Sequence, residues 1–133
     1  MIDFELGWRA VPGHFSAVDG TVLQCFVKQL RPGEAAVELG AWCGRSLAAA
    51  CEALPVGVPV YSYDNYLVDS QANSGSPIAP ETARALRAVV GDHYREQRGR
   101  DVYPQTAEAA EAGLQYTGPL VGMLLIDDHH SDV

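Results

Sequence analysis

Long apolar runs, paired cysteines and basic clusters are all missing from this chain, and each absence removes a class of protein. No stretch approaches the roughly 18 apolar residues that a membrane-crossing helix needs, so no membrane span is expected. The start, Met1-Ile2-Asp3-Phe4-Glu5, is acidic and lacks the basic region of a secretory leader, which gives the expectation of a cytoplasmic protein. Cys25, Cys43 and Cys51 show no CxxC spacing, which argues against a zinc site or a disulfide framework. They are expected as free thiols packed as small hydrophobes. Lys and Arg total 9 against 17 Asp and Glu, a net charge of −8 with histidine neutral. A nucleic-acid backbone is therefore not an expected partner, and no basic patch suits an anionic membrane. No internal repeat and no low-complexity tract is present.

What remains is an ordinary globular composition. The chain has 133 residues, 47% apolar and 20% charged, enough for one domain with a core of its own. The segment to about Phe15 reads as irregular, with Pro12 and Gly13 as breakers. Ser16 and Asp19 have the spacing of a capping box, and Val22, Leu23, Phe26, Val27 and Leu30 then recur on one helical face. Ala35 to Leu39 reads as a strand, Arg45 to Leu54 as a helix closed by Pro55, and Val58 to Tyr63 as a second strand. Asn65 to Pro80 is polar and long enough to suggest a binding loop. Pro80 suits a first helical turn, and Ala83, Leu86, Val90 and Tyr94 mark one face of a helix to about Gln97. His93 reads as a surface residue of that helix. Asp101-Val102-Tyr103 is a weak short strand, Thr106 suits the cap of a helix to about Leu114, and Val121 to Ile126 is an apolar strand. Alternating strands and helices predict an α/β fold with a parallel sheet.

The most informative stretch is Glu38-Leu39-Gly40-Ala41-Trp42-Cys43-Gly44-Arg45-Ser46. An apolar strand ends in an acid, turns through two glycines and enters a helix at a serine. Glycines let the backbone approach a ligand closely, and a helix N-terminus offers unpaired N–H groups to a carboxylate or phosphate. The next strand also ends in an acid, Asp64, which suits the hydroxyls of a ribose. Strand, glycine turn, helix and acid together form a cofactor-binding signature. A dinucleotide dehydrogenase would favour G-x-G-x-x-G, and Trp42 stands where its second glycine makes room for a pyrophosphate. That steric point disfavours an NAD-type Rossmann protein.

With those residues in place, the chain resembles class I S-adenosylmethionine-dependent methyltransferases. It is most similar to the small-molecule O-methyltransferase branch whose first motif reads E-[IL]-G-x-x-x-G-x-S. Val11-Pro12-Gly13-His14-Phe15-Ser16 is similar to that branch's N-terminal Pro-Gly-aromatic segment, and His14 is a candidate to line it. Ile126-Asp127-Asp128-His129-His130-Ser131 is similar to its I-D-G-D-H-S motif, with Asp128 in place of glycine and His129 in place of the second acid. The resemblance implies a Rossmann-like three-layer sandwich with strand order 3-2-1-4, corresponding to the N-terminal half of the class I fold. It implies S-adenosylmethionine as cofactor and a small hydroxylated metabolite as methyl acceptor. Glu38 would lie near the methionine moiety and sulfonium, with Gly40, Ala41, Trp42 and Gly44 forming the turn around the cofactor. Ser46 would bind the methionine carboxylate or cap the helix. Asp64, with Asn65 beside it, would hold the ribose. Gln105 and Thr106, following the third strand, would lie near the adenine or cap the next helix. Asp127 would orient the acceptor or ligate Mg²⁺, and His130 would act as general base. Tyr61, Tyr63 and Tyr66 read as packing residues.

The sequence stops after four strands, where the resemblance implies seven. The segment Leu120 to Ile126 has no polar alternation, as in a strand flanked by neighbours on both sides. As an outer strand it would expose an apolar edge that natural proteins normally blunt. Two readings follow: an incomplete methyltransferase domain, or a non-catalytic half-domain that binds cofactor or pairs with another chain through this edge.

Overall fold

The computed structural model describes residues 2–66, 78–107 and 109–126. Four strands, β1 (Glu34–Leu39), β2 (Val60–Asp64), β3 (Val102–Thr106) and β4 (Leu120–Ile126), form one parallel sheet in the order β3-β2-β1-β4. This is the predicted order. Helix α1 (Ala17–Val27) precedes β1, α2 (Arg45–Ala53) links β1 to β2, α3 (Pro80–Asp92) precedes β3, and α4 (Ala109–Gln115) precedes β4. No helix among the described residues is long and apolar enough to cross a membrane.

Alternation along the strands divides the core. Ala36, Val60 and Val102 point to one face and pack with Leu23 and Val27 of α1, Leu47 and Ala48 of α2, and Ala83 and Val90 of α3. Val37 and Tyr63 point to the other face, where Ala107, Ala112 and Tyr116 cover them. The first face is the thicker. The inner strands β1 and β2 carry the buried acids at or near their carboxyl ends, where open α/β sheets place their ligands.

Several local expectations change. The first residues are not irregular: Phe4–Ala10 form two 3₁₀ turns either side of a kink at Gly7, started by Asp3 accepting from the Glu5 amide at 3.1 Å. Trp8 anchors this segment, buried to 2% exposure against α1. The Ser16–Asp19 capping box is present, with reciprocal bonds of 3.0 and 3.2 Å. Only part of the α1 stripe is inward, however. Leu23 and Val27 are buried, but Val22 and Phe26 remain 50% and 59% exposed beside a groove that Met123 and Leu125 of β4 also line. His93 is half-buried rather than on the surface. It opens a π-type turn (His93–Gln97) after α3 and stacks on Phe4 at 3.8 Å between ring centroids. Cys43 and Cys51 are buried, but Cys25 is exposed, so only two of the three free thiols pack as hydrophobes.

Strand β3 runs further than the sequence suggests and includes Gln105 and Thr106. Pro104 lacks an N–H and so discourages a strand assignment. On an edge strand that loss is tolerated, and β3 is an edge. The opposite edge, β4, is exposed as expected, with Leu120 at 74% and Ile126 at 55%.

Gly20 gives a test of the Trp8 anchorage. A Cβ at this helical position would lie 2.2 Å from Trp8 Cη2. Helix propensity alone predicts that Gly20→Ala stabilises by about 1 kcal/mol. The clash predicts the opposite, a net loss of about 1–3 kcal/mol from overpacking, read from the midpoint of urea unfolding.

Candidate functional site

The chain leaves β1 through a bend that ordinary residues avoid. Gly40 (φ 94°), Trp42 (φ 48°) and Gly44 (φ 93°) all have left-handed backbones within five positions. The Gly40 amide donates to Tyr63 O at 2.8 Å, extending the sheet ladder by one bond, and Gly44 N donates to Ala41 O at 2.9 Å to close the turn. Gly44 then caps α2. A Cβ there would sit 3.3 Å from the Arg87 backbone, so the bend lies hard against α3. Because its cap is a glycine, α2 starts without any side-chain hydrogen bond. Its first N–H groups and the positive end of its dipole are thus left for a ligand oxygen.

Asp64 fixes this bend to the end of β2. One carboxylate oxygen accepts from the Trp42 amide at 2.8 Å, and the other accepts from the Tyr66 amide at 2.9 Å. Tyr66, itself left-handed at φ 55°, returns its hydroxyl to Trp42 O at 2.6 Å, and the two rings stack. A left-handed non-glycine backbone costs about 1–2 kcal/mol. One charge-assisted hydrogen bond contributes about 1.5–3 kcal/mol, enough to hold Trp42 in place. A carboxylate oxygen can accept two hydrogen bonds, so each Asp64 oxygen has the capacity to accept from a ligand hydroxyl beside its amide.

Beneath the bend lies a buried polar cluster. Glu38, 3% exposed, accepts from Ser46 Oγ and Ser62 Oγ, both at 2.6 Å. Burial pushes its pKa above the ordinary 4.5 and outweighs the two serine bonds and the charge of Arg87, which act the other way. Arg87, 4% exposed on α3, donates through Nη1 to Ser62 O at 3.1 Å and Gln105 O at 2.8 Å. Its guanidinium lies 5.1 Å from the centre of the Tyr66 ring. One arginine therefore joins β2, β3 and the residue that holds the bend. Cys43, within the bend, is an unreactive thiol: burial first, then the charge of Asp64, pushes its pKa up to about 11.

The structure brings Glu38, Gly40, Ala41, Trp42, Gly44, Ser46 and Asp64 together around one turn, with Asn65 next in chain. One alternative is removed. Ser46 does not cap α2, because it sits inside the first turn after Gly44, and its hydroxyl is committed to Glu38. Glu38 is sealed from solvent, with each of its oxygens accepting from one serine hydroxyl. Gln105 and Thr106 form the exposed end of β3 rather than following it. Asp127 and His130 lie outside the described residues, as do most of the predicted binding loop and the tail after Ile126. Among the described residues no group of three His, Cys, Asp or Glu is placed to hold a metal ion. Arg87, Tyr66 and Ser62 are the residues that sequence reasoning missed. Arg87 falls on the same helical stripe as Ala83, Val90 and Tyr94, and a charge on a buried stripe was the available signal.

No protein-family model and no curated protein matches this sequence. Solved structures do match in shape. The O-methyltransferase from Bacillus cereus, solved in complex with S-adenosylhomocysteine, superposes with a TM-score of 0.59 at 18% identity over 90% of this chain and 49% of that one. A candidate O-methyltransferase from Klebsiella pneumoniae gives a TM-score of 0.53 at 15% identity over 79% of this chain and 40% of that one. The chain thus spans less than half the length of either. At these identities the likeness is one of fold: a Rossmann-like α/β fold with a parallel sheet, shared with part of each of those two structures.

The raised pKa of Glu38 has a consequence for stability. An acid that binds its proton more tightly when folded makes stability fall as pH rises from the unfolded value through the folded one. Glu38→Gln keeps one acceptor and one donor for the two serines and abolishes the titration. The difference between wild-type and variant urea midpoints should therefore widen in the variant's favour as pH rises above 4.5. A constant difference between pH 4 and pH 7 would contradict the burial argument.

Proposed function

We propose that this chain binds S-adenosylmethionine at the 40–44 bend and belongs to an enzyme that methylates a hydroxyl oxygen of a small metabolite. The observation that carries the reading is the bend itself: three left-handed residues leading into a helix with no side-chain cap, tied to an acid at the end of the neighbouring strand. The first N–H groups of α2 suit the methionine carboxylate. Gly40 and Gly44 let the main chain run close to the cofactor, with Ala41 and Trp42 beside it. Asp64 would accept from the ribose hydroxyls, with Asn65 adjacent. Gln105 and Thr106 at the end of β3 would border the adenine. Glu38 and Ser46 support the bend from below and do not touch the ligand. The fold likeness to a structure holding S-adenosylhomocysteine supports this assignment.

When bound, the cofactor supplies the electrophilic methyl. The nucleophilic oxygen must be held in line with it at roughly 3 Å. Asp127 and His130, in the segment after β4, are assigned to orienting that hydroxyl and accepting its proton. No step is assigned to Mg²⁺. The acceptor class, the cytoplasmic setting and the activity of the whole protein belong to this proposal.

The exposed apolar edge of β4 supports a second reading, a cofactor-binding half-domain that pairs with another copy of itself. Cofactor binding without methyl transfer, in a particle of dimer mass by light scattering, would favour it. A stable monomer at micromolar concentration would count against it.

Titration calorimetry with S-adenosylhomocysteine tests the cofactor assignment. Binding is expected, and Asp64→Ala should weaken it about tenfold or more, equivalent to about 1.4 kcal/mol. Absence of heat from the wild-type chain at millimolar ligand would remove the assignment.

A further inference from the structure

Arg45 is the residue of the glycine motif whose side chain reaches furthest from it. It occupies the first position of α2, directly after the bend, yet its guanidinium serves the opposite end of the chain. Nε donates to Phe15 O at 2.6 Å, and Nη1 donates to Arg9 O and Val11 O, each at 2.7 Å. Its Cζ lies over the Trp8 ring, 4.9 Å from the ring centre. Its stem packs where a Cβ on Gly13 would intrude, 3.2 Å from Arg45 Cβ and Cδ. Gly13 is left-handed at φ 152°, so it meets both demands that only glycine satisfies easily. Three carbonyls bracketing Pro12-Gly13-His14 are thus collected by one planar cation with no carboxylate partner among the described residues.

We propose that Arg45 is a positioning residue that fixes residues 9–15 as a preformed wall of the cofactor site beside the first turn of α2. The inference rests on the cofactor reading above. The position of the latch is what gives it this role. Any shift of the 9–15 segment is transmitted to the residue next to Gly44, and any opening of the bend pulls on the segment. The wall is in place before ligand arrives, so binding does not have to order it. Lysine cannot replace arginine here, because a compact ammonium lacks the planar fork that spans three separated carbonyls.

The test compares wild type, Arg45→Met and Arg45→Lys, with Val58→Ala as a control that weakens the core (Val58 is 1% exposed) outside the segment. Affinity for S-adenosylhomocysteine and amide hydrogen exchange of residues 11–15 are measured below the melting temperature of each protein. Both Arg45 variants should bind about tenfold more weakly and lose protection at residues 11–15, while Val58→Ala keeps wild-type affinity. If an Arg45 variant frees residues 11–15 yet binds as wild type does, the segment is not a wall of the site. If residues 11–15 stay protected in both variants, Arg45 is not the latch. Should Val58→Ala lose affinity equally, the effect is global destabilisation and the proposal falls. If wild type itself does not bind, the cofactor reading fails and the wall assignment goes with it. Unchanged affinity in the variants of a binding-competent wild type removes the wall assignment alone.

Discussion

The two oxygens of Asp64 each hold one backbone amide, and those amides belong to the two non-glycine residues with left-handed backbones among the described residues, Trp42 and Tyr66. Neither conformation is favourable alone. Together they are locked by the shared carboxylate, by the Tyr66 hydroxyl on Trp42 O and by the packing of the two rings. The 40–44 bend therefore has a fixed place relative to β2. A site at a topological switch point needs this kind of constraint, because its parts come from different strands and reach the same point only through the sheet.

Glu38 and Arg87 carry that constraint into the interior. A buried carboxylate is costly unless its oxygens are satisfied, and here two serine hydroxyls from α2 and β2 satisfy them. Arg87 supplies the opposite charge and spends Nη1 on the carbonyls of β2 and β3, while its buried Nε has no partner among the described residues. The cluster is expensive to dissolve because each member would leave another unpaired. The rigidity of the bend thus depends on polar contacts, and the apolar packing of α1, α2 and α3 shields them from water.

Much of the fold was legible in the sequence because its signals were local. A strand, two glycines, a helix and an acid ending the next strand occur in chain order, and the strand order follows from the family they resemble. The bend residues and Asp64 were legible for the same reason. What escaped depends on distant contacts. The N-terminal 3₁₀ turns have little local signal, and their anchors are Gly20 and Arg45, far along the chain. Arg87 sits on a stripe identified by its apolar members, so a search for apolar periodicity passes over it. Ser46 has the residue type of a helix cap, but Gly44 holds that position and the Ser46 hydroxyl turns to Glu38, a partner eight residues back that the local pattern does not show. The outward turn of Val22 and Phe26 follows from what lies across from them, namely the sparsely covered β4 edge.

The most direct measurement is a crystal structure of the chain grown with S-adenosylhomocysteine. The account predicts the amino-acid end of the ligand against the first turn of α2 and the ribose hydroxyls on Asp64, with Trp42 and Tyr66 still left-handed. A nucleoside bound elsewhere, with the 40–44 bend unchanged and unoccupied, would contradict it.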